Sequence, residues 1–151
     1  MATKMIPEAE QLLAESSSTV RELMRGIYEY FVSEAGCNAY VKTIYVGFMI
    51  DGQMVAAAYP HARSVEVALA LPDDVEGPGL IDAAHLTWRT MPVAVEISDR
   101  EGLKAARAQL ETAVARVQTG IHDVELPQDR FIGRERNLTH RKIVGKSPNL
   151  N

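Results

Sequence analysis

The chain has 151 residues, 46% of them hydrophobic and 24% charged, with a formal net charge of −4 at neutral pH. A chain of this length and composition is expected to form one globular domain that buries about 70% of the surface its unfolded form would expose, which sets aside disordered, collagen-like and membrane-embedded classes. No apolar run approaches the length of a membrane span, no secretory leader pattern opens the sequence, and the single cysteine, Cys37, has no partner for an internal disulfide, so a cytoplasmic location and no membrane partner are expected.

In chain order, Pro7 after Ile6 suits a first helical turn, and Ile6 to Ala14 carries a short apolar face ahead of the serines at 16, 17 and 18, which read as linker and capping residues. Thr19 and Glu22 have the spacing of a capping box, and Val20, Leu23, Met24, Ile27 and Phe31 form one helical stripe that predicts a second helix ending at Gly36. From Tyr40 to Ile50 β-branched and aromatic residues dominate, and Asp51-Gly52 predicts a tight hairpin into a strand from Gln53 to Tyr59. After a turn at Pro60 to Arg63, Val65, Val67 and Leu69 alternate with Glu66, Ala68 and Ala70, the pattern of a strand with one buried face. Pro72 to Gly79 reads as a loop, and Leu86 to Arg89 and Val93 to Ile97 as strands separated by Pro92. Ser98 and Glu101 form a second capping box, and Leu103, Ala106, Leu110, Val114 and Val117 stripe the helix it would start, with Gly120 as its stop. The predicted fold is therefore α+β: N-terminal helices, an antiparallel meander of about five strands, and a C-terminal amphipathic helix packed on the sheet. Residues 1–120 make the domain, and 121–151, poor in apolar residues and without sustained periodicity, make an extended basic C-terminal arm.

The segments YVKTIYVGFMIDGQMVAAAYP, VEVALALP and HLTWRTMPVAVEISDREGLKAARAQLETAVARV, together about half the chain, resemble a family of small bacterial domains of unknown function, some labelled "predicted transport protein". Members of that family are similar to the frataxin-like group of helices on an antiparallel sheet. The resemblance implies a fold and brings no catalytic residues. The arm lies outside it.

Common hydrolase, kinase and dehydrogenase signatures are missing from the sequence, the four histidines lack metal-ligand spacing, and no cofactor is expected. The carboxylates of the first helices are too spread to hold iron, and Cys37 reads as a small core or loop residue. Among small-ligand candidates, His85, Trp88 and Arg89 place a titratable ring, an aromatic plane and a fixed cation within five residues, although strand alternation turns Trp88 toward the core and the other two away. Tyr45 and Tyr59 join them as hydroxyls that could orient a ligand, with sheet packing as their simpler role.

The arm carries Arg130, Arg134, Arg136, Arg141, Lys142 and Lys146 against one acid, Glu135, a net of +5, while residues 1–129 hold ten basic and nineteen acidic residues, a net of −9. Two readings follow. The arm neutralises phosphates and the chain is a nucleic-acid-associated module, or it folds across an acidic body, its own or a neighbouring subunit's, with Phe131 and Ile132 as anchor. The second fits better, since Phe131 is the arm's one aromatic for base stacking. The favoured functional reading is a small non-catalytic binding or accessory module acting through protein–protein contacts as a homodimer; the alternatives are the nucleic-acid module and a receptor or enzyme with a cleft near His85 and Arg89.

Overall fold

The structure, a computed structural model, describes residues 5–72, 79–83 and 91–120, apart from the side chain of Asp82. Its elements run α1 (Pro7–Leu12), α2 (Ser18–Tyr28) continued by a π-helical segment (Glu29–Glu34), β1 (Asn38–Val41), β2 (Val46–Ile50), β3 (Gln53–Pro60), β4 (Val65–Leu69), β5 (Leu80–Asp82), β6 (Val93–Ile97) and α3 (Arg100–Gln118). The class is α+β, as the hydrophobic periods predict: one antiparallel sheet in the order β1-β2-β3-β4-β6-β5, with α2 and α3 packed on it.

The sheet departs from the predicted meander at two places. The apolar run from Tyr40 to Ile50 is two strands, because the chain reverses between Lys42 and Tyr45, where the Lys42 N–H donates to the Tyr45 carbonyl at 2.9 Å. No Gly, Pro, Asn or Asp marks that turn, so composition hides it. Beyond β4 the order is no longer sequential: β6 returns between β4 and β5, leaving the three-residue β5 outermost among the described strands. The predicted strand at Leu86 to Arg89 lies outside the described residues. At the Asp51-Gly52 hairpin both turn residues have positive φ, 49° and 80°, the mirror-image turn geometry that suits the right-handed twist of paired strands.

Both helices start beside, not at, the residues expected to cap them. Ser17 caps α2, its Oγ accepting from the Val20 N–H at 3.2 Å, and Asp99 caps α3, its Oδ1 accepting from the Gly102 N–H at 2.7 Å. Thr19 and Ser98 have the spacing for a capping box, but each N-terminus already has an oxygen one or two residues away that meets a free backbone donor. At the far end of α2, the wider π turn brings Tyr28, Tyr30 and Phe31 inside together, and the chain leaves the helix at Gly36 with φ +77°.

Strand register sorts the core. Val46 and Phe48 on β2, Ala56 and Ala58 on β3, Val65, Val67 and Leu69 on β4, and Val93, Val95 and Ile97 on β6 share one face, beneath the stripes of α2 and α3. Phe48 is its centre, stacked on Phe31 with centroids 4.7 Å apart and meeting Tyr28 edge-on at 5.9 Å. Small alanines on β3 let the helices approach the sheet closely. On β4 the opposite face is buried too, which corrects the half-exposed pattern expected of it: all five of its residues are buried, and Glu66 is only 6% exposed. Alternation of valine with alanine and a single glutamate cannot distinguish a solvated face from a covered one. On this second face Tyr40 and Gly47 are paired, and the tyrosine ring lies close against the glycine.

Candidate functional site

Of the residues singled out from the sequence, Tyr45 and Tyr59 are described, and the structure brings them together. They are buried on the second face of the sheet with ring centroids 5.0 Å apart, and the Tyr45 hydroxyl lies 3.2 Å from that of Tyr40, which also donates to the Met54 sulfur at 3.2 Å. Both rings pack against neighbouring rings there. His85, Trp88 and Arg89, and the arm residues Arg130, Phe131, Arg134, Arg136, Arg141 and Lys142, lie outside the described residues.

Next to Tyr59 the register continues into a polar row that sequence reading passed over. Tyr59 pairs with Glu66, and Glu66 pairs with Glu96, so two carboxylates stand opposite each other on adjacent strands. Like charges so placed repel, and each is met by a hydrogen-bonding group: His61 Nε2 sits 2.9 Å from Glu66 Oε1, and Ser64 Oγ donates to Glu96 Oε2 at 2.9 Å. His61 and Ser64 flank the β3–β4 turn, which is closed by the His61 N–H donating to the Ser64 carbonyl at 2.8 Å. The row ties this turn to β6. The signal available in the sequence was the pair of glutamates in otherwise apolar strands, Val-Glu-Val and Val-Glu-Ile. Among the described residues no group of three or more His, Cys, Asp or Glu side chains is arranged to hold a metal ion, and no described helix is long and apolar enough to cross a membrane.

A concave surface lies between α2 and α3. Glu22 approaches Arg100 at 3.8 Å, Gly26 faces Leu103, and Tyr30 and Glu34 meet Arg107, so the two helices run side by side in the same direction. Gly26 permits the approach: a Cβ there would lie 2.8 Å from Leu103 Cδ2. The groove between them has a volume of about 930 Å³, an apolar floor of Leu23, Leu103, Leu110 and Tyr30, and a rim of charge from Glu22, Arg25, Glu29, Glu34, Asp99, Arg100, Glu101, Lys104 and Arg107.

Arg107 holds one end of the groove. Its guanidinium sits 5.0 Å from the Tyr30 ring centroid, donates from Nε to Glu111 at 3.2 Å, and bonds to Glu34 through a terminal nitrogen. The hydrogen bond to Glu34, then that to Glu111, pushes its pKa still higher, so it is a permanent cation. Burial first, and the nearby Glu111 second, pushes the Tyr30 phenol up, so it stays a neutral ring beneath the cation. Burial pushes the Cys37 thiol, near Tyr30, up to about 11, which keeps it protonated, and burial lowers the Lys42 ammonium, whose Nζ lies 5.7 Å from the Tyr40 ring centroid.

No family model, curated protein or solved structure matches the chain. The functional reading therefore rests on geometry.

Proposed function

We propose that the chain is a small cytoplasmic binding or accessory module that acts through protein–protein contacts rather than by catalysis, and that the α2–α3 groove is its contact surface. The observation that carries this reading is the anatomy of the groove: an apolar floor enclosed by a rim of both charge signs resembles a protein–protein contact, in which a dry centre contributes affinity and a polar margin sets register. Its charged groups support the same role. Arg107 is committed to Glu34 and Glu111, and Asp99 to its helix cap, so these side chains shape the surface and fix its charge pattern.

The test is a photo-reactive amino acid introduced at Arg25, on the rim, in the full chain and in living cells. Adducts to protein are expected there and not when the same group replaces Arg63, which is exposed on the β3–β4 turn. Equal labelling at the two sites, or none at Arg25, would overturn the assignment of the groove.

A further inference from the structure

We draw no further inference here: the strongest candidate, the α2–α3 groove, belongs to the site already described, and nothing in the structure shows what covers it.

Discussion

Replacing Gly47 with alanine tests whether the second face of the sheet is organised around the Tyr40 ring. Gly47 has an ordinary negative φ, so alanine meets no backbone strain there, and removing a glycine from a strand should by itself stabilise by about 0.5–1 kcal/mol. The added Cβ would however lie 2.6 Å and 2.8 Å from two carbons of the Tyr40 ring. The ring cannot simply swing away, because its hydroxyl is held between the Tyr45 hydroxyl and the Met54 sulfur and its edge packs on Tyr45 at 6.1 Å. Displacing it forfeits an edge-to-face contact of about 0.5–1.5 kcal/mol and a hydrogen bond of similar net value, or else strains the strand by the usual amount for overpacking. The expected balance is a loss of about 1–3 kcal/mol, roughly 3–9 °C in Tm for a chain of this size. The assay is a double-mutant cycle by thermal and denaturant unfolding: in a Tyr40→Ala background the clash is gone, and Gly47→Ala should become neutral or stabilising. If Gly47→Ala leaves Tm unchanged in wild type, or costs the same in both backgrounds, the ring does not rest on the glycine and the reasoning fails.

Ser17→Ala and Asp99→Ala should each destabilise by about 1 kcal/mol, while Thr19→Ala and Ser98→Ala should fall within about 0.5 kcal/mol of wild type; a larger effect at Thr19 than at Ser17 would return the cap to the residue predicted from the sequence. Phe48→Ala empties the centre of the helix-facing core and should cost about 3–5 kcal/mol in denaturant unfolding; a loss below about 1.5 kcal/mol would show that Phe31 and Tyr28 close the space without it. Cys37, 4% exposed and pushed up to about 11 from 9.0, should react with a thiol reagent at pH 8 roughly 100-fold more slowly than an ordinary cysteine, from thiolate fraction alone, and at the ordinary rate after unfolding. Since its folded pKa is raised, its contribution to stability is fully present below pH 9.0 and is lost as pH rises toward about 11; stability that increased across that window would contradict the assignment.

The class of the fold and its helical stripes were legible in the amino-acid order alone. Val20, Leu23, Met24, Ile27 and Phe31, and Ala106, Leu110, Val114 and Val117, recur at the spacing of a helix and are buried in the structure, because a period of apolar residues has one way to leave water. The Asp51-Gly52 turn was legible for a similar reason, since two successive positive φ values select those residue types strongly. Signals of weaker chemical selectivity misled at the edges. A reversal at Lys42 to Tyr45 without turn residues split one expected strand into two, and serines and acids adjacent in sequence offered several oxygens for each helix start, among which the local backbone geometry selected Ser17 and Asp99.

What only the tertiary structure decided are relations between segments distant in the chain. Glu66 stands opposite Glu96 because β6 lies next to β4, a neighbour relation that no local pattern encodes. Likewise, the groove exists because Gly26 and Leu103, 77 positions apart, bring two helices alongside each other in the same direction. Periodicity says which face of each element avoids water. Which element meets that face depends on the route of the chain between them, and only the packed structure holds that information.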